Sequence, residues 1–184
     1  SGITLDDVEA RGFSLDDFKM LVLQSHYRSE SHFSWENLAA AKTRLQRYRN
    51  FAVRRFQNVS SGSSSLDPNR LAKPGQVILP ALANDLDTPA ALAAIEDYME
   101  KVSSENLSQE TFLLADYLQF IDSVFGFRLM AEPDITADQK ALIAERESAR
   151  RQSNWPKSDE LRSELAKQGL EINDTDNGSI WLRV

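Results

Sequence analysis

The sequence contains no cysteine, which excludes disulfide bonds and thiolate metal sites. It has two histidines, His26 and His32, and two imidazoles do not by themselves complete a zinc site. No apolar run reaches the roughly eighteen residues of a membrane-spanning helix. A glycine-rich phosphate loop, a nucleophile elbow and a helix with paired histidine ligands are also missing. We therefore predict no catalytic or metal site, no membrane partner, and a soluble, cytoplasmic protein.

The charge of the chain is unevenly distributed. Its 184 residues, 41% of them hydrophobic, suffice for one domain or two small ones, and the net charge of −7 argues against indiscriminate nucleic-acid binding. Residues 81–138 are strongly acidic, with only two cations. Residues 41–57 hold no acid and six cations, namely Lys42, Arg44, Arg47, Arg49, Arg54 and Arg55. This basic stretch is either a solvated helix face or a surface for an anionic partner.

The first half of the chain has the pattern of amphipathic helices. Thr4–Asp7 and Ser14–Asp17 have the hydroxyl-x-x-acid spacing of a capping box, and Ser34 is a third N-cap candidate. The apolar face predicted after Ser14 consists of Leu15, Phe18, Leu21 and Val22. The long helix after Ser34 is predicted from the spacing of Leu38, Ala41, Leu45, Tyr48, Ala52 and Phe56.

A serine-rich tract, residues 58–76, is predicted to be a flexible loop within one helical domain, or alternatively a linker between two domains. Beyond it we predict three further helical stretches. The first uses Ile78, Leu79, Leu82 and Leu86, the second is capped by Thr88, and the third runs from Ser108 to Gly126. The fold class is therefore mostly α, an antiparallel helical bundle over residues 1–132.

Residues 133–184 are predicted to form a small α+β module of two helices and a β-hairpin. Thr136 caps the first helix, Asn154 begins the second, and Gly169 ends it. Residues 174–178 combine aspartate, asparagine and glycine, which is typical of a tight turn between two strands. We expect Trp181 in the core of this module.

The most specific chemical feature is an aromatic ring with donors and acceptors near it. Trp155, Arg150, Arg151, Asp159 and Asp174 are expected to lie where the two helices meet the hairpin. Unpaired RNA bases are bound in this way, with stacking on a planar side chain and hydrogen bonds to base edges. The alternative is that Trp155 is a hydrophobic staple and the charges are ordinary surface.

Three blocks of the sequence closely resemble bacterial cysteinyl-tRNA synthetases, which are class I enzymes, in the region that follows their catalytic domain. They are Phe18–Arg28 with Phe33–Leu38, Asn84–Leu92, and the segment from Leu142 to Trp181. Four positions depart from the family pattern: Asp87 stands where asparagine is usual, Pro156 stands where alanine is common, and Asn154 and Ser158 also differ from the common residues. The resemblance covers nearly the whole chain except residues 58–76.

The resemblance implies a DALR-type anticodon-binding bundle and a small C-terminal domain that recognises the GCA anticodon of cysteine tRNA. By position, Arg150, Trp155, Asp159 and Asp174 match the residues that contact the anticodon in this family. It also implies a monomer and a missing N-terminal catalytic domain, which would be this chain's partner and would bind ATP and zinc. No cofactor is expected in the chain itself.

Two other functions stay open beside the tRNA-binding part of a cysteine–tRNA ligase. One is a free-standing RNA-binding or regulatory protein derived from such a region, and the other is a helical protein-interaction domain. If the partner is tRNA, we expect Arg47, Arg54 and Arg55 to contact its phosphate backbone, which positions the RNA without specifying its sequence.

Overall fold

The computed structural model describes residues 2–30, 32–57, 73–104, 111–175 and 178–184. Within them it contains eight α-helices, 3₁₀ turns at Val53–Phe56 and Leu129–Ala131, and one antiparallel pair of strands. The mostly α fold with a terminal hairpin is therefore confirmed. The elements are α1 (Leu5–Ala10), α2 (Leu15–Leu23), α3 (Trp35–Ala52), α4 (Pro74–Ala83), α5 (Thr88–Ser104), α6 (Thr111–Phe125), α7 (Ala137–Arg151), α8 (Trp155–Lys167), β1 (Leu170–Thr175) and β2 (Gly178–Arg183).

The helix starts follow the local capping chemistry. In α2 the Ser14 hydroxyl accepts from the Asp17 backbone N–H at 3.2 Å, and the Asp17 carboxylate accepts from the Ser14 N–H at 2.7 Å. Thr4 and Thr136 begin α1 and α7 through the same reciprocal pair, and Ser34 caps α3. These caps are confirmed, because they need only residues three positions apart.

The predicted apolar face of α2 is wrong in part. Leu15 and Val22 are at least half exposed, whereas Met20 is fully buried. The inward face of α2 carries Asp16 four residues before Met20, and this buried carboxylate accepts a 2.7 Å hydrogen bond from Arg128. The inward position that hydrophobic periodicity assigns to Leu15 is therefore occupied by Asp16, which can be buried because Arg128 is its partner.

The core of the bundle lies between α2, α3, α4, α5 and α6. Tyr48 of α3 is fully buried and donates its hydroxyl to the Leu92 carbonyl of α5 at 3.3 Å. Other fully buried members of this core are Leu45, Ile78, Ile95, Leu118 and Ile121. The long basic helix α3 is therefore central to the bundle, and only part of its circumference faces solvent.

The connection between α4 and α5 differs from the prediction. Helix α4 ends at Ala83, and Leu86 is exposed with a positive φ of 54°, so it does not continue the predicted apolar stripe. Asp87, and not Thr88, caps α5, since its carboxylate accepts from the Ala90 N–H at 3.0 Å. An aspartate acceptor competes well for this position because it is among the preferred N-cap residues.

Most of the predicted loop over residues 58–76, namely 58–72, lies outside the described residues, as does the start of the predicted helix at Ser108. The last three loop residues are helical, because α4 begins at Pro74. A proline at a helix start costs no hydrogen bond, and the Gln76 side chain accepts from the Lys73 N–H at 3.3 Å.

The hairpin packs on the end of α3 through two side-chain amides. Asn50 donates to the Arg183 carbonyl and accepts from its N–H, both at 3.0 Å. Gln57 makes the same pair of bonds with Trp181, at 3.0 and 3.1 Å. The two amides therefore satisfy the free edge of β2 in the way that a third strand does.

A second apolar cluster lies beneath the hairpin. It contains Trp181, which is 4% exposed, so the prediction that this tryptophan is in the core is confirmed. Val53 also belongs to it, although Val53 follows α3 in the first half of the chain. The division into residues 1–132 and 133–184 stays a prediction. None of the helices in the described ranges is long and apolar enough to cross a membrane.

Candidate nucleic-acid interface

Helices α7 and α8 are joined by a short turn that fixes the position of Trp155. Helix α7 ends at Arg151, Ser153 takes a left-handed conformation with φ of 56°, and Asn154 begins α8 by accepting from the Lys157 N–H at 3.3 Å. Trp155 is therefore the first residue of α8 and lies beside the last turn of α7. The predicted helix boundaries in this module, including Gly169 at the end of α8, are confirmed.

The centre of the site is the carboxylate of Asp174 on β1. Arg146 of α7 is 1% exposed and donates to both carboxylate oxygens of Asp174 at 2.7 Å. Arg150, one turn further along α7, lies 2.8 Å from Oδ2, and Arg162 of α8 lies 3.3 Å from it. The Ser179 hydroxyl donates to Oδ1 at 3.0 Å. Asp174 therefore connects α7, α8 and both strands.

These donors lower the pKa of Asp174 to about 2, mainly through the hydrogen bonds from Arg146 and against the opposing effect of burial. Because the pKa of the folded state lies below the ordinary value of 3.8, the ionised carboxylate stabilises the fold above about pH 4. This stabilisation is lost as the pH falls from about 4 towards 2.

We expect the difference in unfolding free energy between the wild type and Asp174→Asn to be largest above about pH 4 and to shrink towards pH 2. At that pH about half of the wild-type Asp174 side chains are neutral as well, so the two proteins become more alike. Urea unfolding at several pH values measures this difference. A difference that stays constant down to pH 2 would contradict the assignment of the stabilisation to the Asp174 charge.

Trp155 has 55% of its surface exposed, which is not the packing of a hydrophobic staple. The Arg150 guanidinium lies 5.9 Å from the centre of its ring, within cation–π range. Asp159 is exposed one helical turn beyond Trp155, and its carboxylate accepts no hydrogen bond from any residue that the structure describes. The structure thus brings Trp155, Arg150 and Asp174 together, with Asp159 on the neighbouring turn of α8.

Sequence reasoning missed Arg146 and Arg162 as members of this site. Arg146 precedes Arg150 by one helical turn, so the two lie on the same face of α7. Arg162 follows Asp159 by three residues on α8 and also donates to the Ile172 carbonyl at 3.1 Å. Helical spacing from the predicted site residues was the available signal for both arginines.

The three arginines predicted to contact the tRNA backbone have different surroundings. Arg47 is exposed, and no hydrogen bond or ion pair joins it to another residue in the described ranges. Arg54 is half-buried and donates to the Ser103 hydroxyl. Arg47 and Arg54 both line a groove of about 660 Å³ between α3, α5 and β2. Arg55 donates to four backbone carbonyls, those of Ala52, Leu129, Met130 and Glu132.

We expect Arg47→Ala to affect RNA binding and Arg55→Ala to affect stability. Loss of Arg47 should lower the slope of log K against log salt for RNA binding by about 0.7 to 0.9, since one phosphate contact disappears. Loss of Arg55 should leave the slope unchanged and lower the free energy of unfolding by about 2 kcal/mol, because carbonyls lose their donor.

Binding titrations between about 50 and 200 mM salt measure the slope. Urea unfolding measures the free energy of unfolding. Lys167→Ala is the matched control, because it removes an exposed positive charge in the last turn of α8. If the salt slope of Arg47→Ala equals that of this control, the basic stretch is a solvated helix face and not an RNA-binding surface.

No group of three or more histidine, aspartate or glutamate side chains that could hold a metal ion was found among the described residues. The arrangement around Trp155 instead offers an exposed aromatic plane, guanidinium donors and a free carboxylate. These are the groups that hold unpaired bases by stacking and by hydrogen bonds to their edges.

Comparison with known proteins gives the family. Residues 132–181 match the model of the cysteinyl-tRNA ligase anticodon binding domain. Cysteine–tRNA ligase of Chlamydia caviae is 34% identical over 186 residues, which cover 95% of this chain and 38% of that protein. The Chlamydia muridarum enzyme is 32% identical over 192 residues, which cover 95% of this chain and 40% of that protein. The Protochlamydia amoebophila enzyme is 29% identical over 184 residues, which cover 96% of this chain and 38% of that protein.

The chain spans about two fifths of the length of these relatives. The matched domain includes α7, α8 and most of the hairpin, and so contains Arg150, Trp155, Asp159 and Asp174. The similarity to whole ligases extends through the helical bundle as well. The chain therefore belongs to the cysteinyl-tRNA synthetase family and corresponds to the C-terminal region of its members.

Proposed function

We propose that this chain binds cysteine tRNA and that its terminal module reads the GCA anticodon. The observation that carries the proposal is the exposed ring of Trp155, with Arg150 on one side and the free carboxylate of Asp159 one turn away. A splayed anticodon base stacks on the ring. Arg150 donates to a base edge, and Asp159 accepts from an exocyclic amino group.

The bundle has the supporting role in this proposal. Arg47 and Arg54 line one groove beside Glu96, Asp97 and Glu100, and in the proposal the two arginines contact phosphates of the tRNA backbone. The proposed parent protein is a cytoplasmic cysteine–tRNA ligase whose N-terminal catalytic domain performs the ATP-dependent cysteinylation. ATP and zinc are bound by that domain in the proposal, since this chain matches about two fifths of each relative. The reading frame upstream of this chain tests the proposed parent.

The test of anticodon reading is a binding titration with hairpin RNAs of about 17 nucleotides that carry the GCA anticodon or one changed base each. The wild type should bind the GCA hairpin at least about ten-fold more tightly than the hairpins with a changed base. This difference is in line with the roughly 1–3 kcal/mol of one base contact. Asp159→Ala should lose the preference at one anticodon position. Glu164→Ala, an exposed acid further along α8, is the matched control. Equal affinities for all hairpins would refute the proposal.

A further inference from the structure

Three arginines and the Ser179 hydroxyl converge on the carboxylate of Asp174. Oδ1 accepts from Arg146 at 2.7 Å and from Ser179 at 3.0 Å. Oδ2 accepts from Arg146 at 2.7 Å and from Arg162 at 3.3 Å. Arg150 lies 2.8 Å from Oδ2 as an ion-pair partner. A carboxylate offers about four lone-pair sites, two on each oxygen. The four hydrogen bonds from Arg146, Ser179 and Arg162 occupy these sites, and Arg150 is held at Oδ2 by an ion pair alone.

The three arginines do not hold Asp174 equally firmly. Arg146 is buried and binds both oxygens, which is the strong bidentate geometry. The side chains of Arg150 and Arg162 are 37% and 48% exposed, and each reaches only Oδ2. These two outer arginines can leave Asp174 while Arg146 keeps its charge neutralised.

The guanidinium donors at this point favour an acceptor-rich ligand. Three guanidinium groups surround Asp174, and the other acids near them are Glu147, whose carboxylate accepts from the Ser179 N–H at 3.1 Å, and Asp159. Arg162 lies on α8 three residues after Asp159 and seven after Trp155, which places all three along one side of the helix. An RNA base stacked on Trp155 would thus have Arg162 within its surroundings as well as Arg150.

We infer that Arg162 is a further RNA-binding residue, and that Arg150 and Arg162 exchange Asp174 Oδ2 for a pair of acceptors on the RNA. This inference rests on the proposed function. The ligand group is either the O6 and N7 edge of guanine or a phosphate, both of which present two acceptors to a guanidinium fork. Asp174 is then a positioning residue that holds the two forks in place before the RNA arrives, which reduces the entropy lost on binding.

The test compares Arg162→Ala with Lys167→Ala in the full chain. Lys167 is an exposed cation on the same helix as Arg162, so its replacement removes the same charge outside the proposed site. With the GCA hairpin, Arg162→Ala should weaken binding about ten-fold, and Lys167→Ala less than two-fold. A hairpin with 7-deazaguanine, which lacks N7, distinguishes a guanine edge from a phosphate as the ligand group. If Arg162→Ala no longer weakens binding of this hairpin, the ligand is guanine. If it still weakens binding and also lowers the salt slope, the ligand is phosphate.

Equal binding by the two variants, in a chain that still prefers the GCA hairpin, would overturn the inference and leave the proposed function standing. Loss of the preference in the wild type would instead refute the proposed function, and the inference with it. If Arg162→Ala does not unfold cooperatively, and so is not properly folded, the binding test uses Arg162→Lys instead. This variant keeps the charge without the fork, so a loss of three-fold or more supports the inference, and an unchanged affinity refutes it.

Discussion

Replacement of Arg146 by methionine is expected to lower the free energy of unfolding by about 3 kcal/mol. The change removes both 2.7 Å hydrogen bonds to Asp174 and leaves that carboxylate to the two exposed arginines. Breaking a buried pair by removal of one partner is costly because the other charge stays behind. Because α7 and β1 are joined through this pair, we expect the terminal module to unfold first. Urea unfolding followed by tryptophan fluorescence measures the effect, since Trp155 and Trp181 both lie in the module.

Two controls make this expectation specific. Arg151→Met removes an exposed charge from the same helix and should change stability by less than about 0.5 kcal/mol. The double variant Arg146→Met with Asp174→Asn should recover part of the loss, because the carboxylate that has lost its buried partner is gone. A single variant as stable as the wild type would show that Arg146 does not hold the module together.

Substitution of Trp155 by alanine is expected to weaken binding of the GCA hairpin by about 10- to 100-fold, which corresponds to the 1–3 kcal/mol of one base–aromatic stack. The exposed ring makes little contribution to the fold, so the free energy of unfolding should change by less than about 0.5 kcal/mol. The combination of a large binding effect with a small stability effect is what separates a base platform from a packing residue.

The matched variant is Trp155→Phe, which retains a planar ring and should keep most of the affinity. A gel-shift or fluorescence titration with the same hairpin compares the three proteins. If Trp155→Ala binds as tightly as the wild type, the ring is not a platform for a base. If Trp155→Phe loses as much as the alanine variant, stacking is not the source of the affinity.

The starts of α2, α7 and α8 could be predicted from sequence because each depends on a few neighbouring residues. Ser14 with Asp17, Thr136 with Gln139, and Asn154 act within one turn, and the structure places them as caps. The position of Trp155 at the start of α8 followed from the same local chemistry. The hairpin was predictable because Asp174–Gly178 carries the residues that tight turns require.

The roles of the charged residues could not be predicted in this way. The carboxylate of Asp174 was expected to face a base, yet it accepts from Arg146, which is 28 residues away in sequence. The place of Asp16 in the bundle likewise depends on Arg128, 112 residues further along. Periodicity reports which side of a helix is apolar, but it carries no information about ion pairs that only the folded chain brings together.

The central claim, that Trp155 stacks on an anticodon base, is tested most directly by a double-mutant cycle. Wild type and Trp155→Ala are titrated with the GCA hairpin and with hairpins in which one anticodon position at a time is abasic. At one position the abasic hairpin should weaken wild-type binding about ten-fold or more and leave the alanine variant nearly unaffected, because the same stack is lost only once. Losses that add independently at all three positions would contradict the claim.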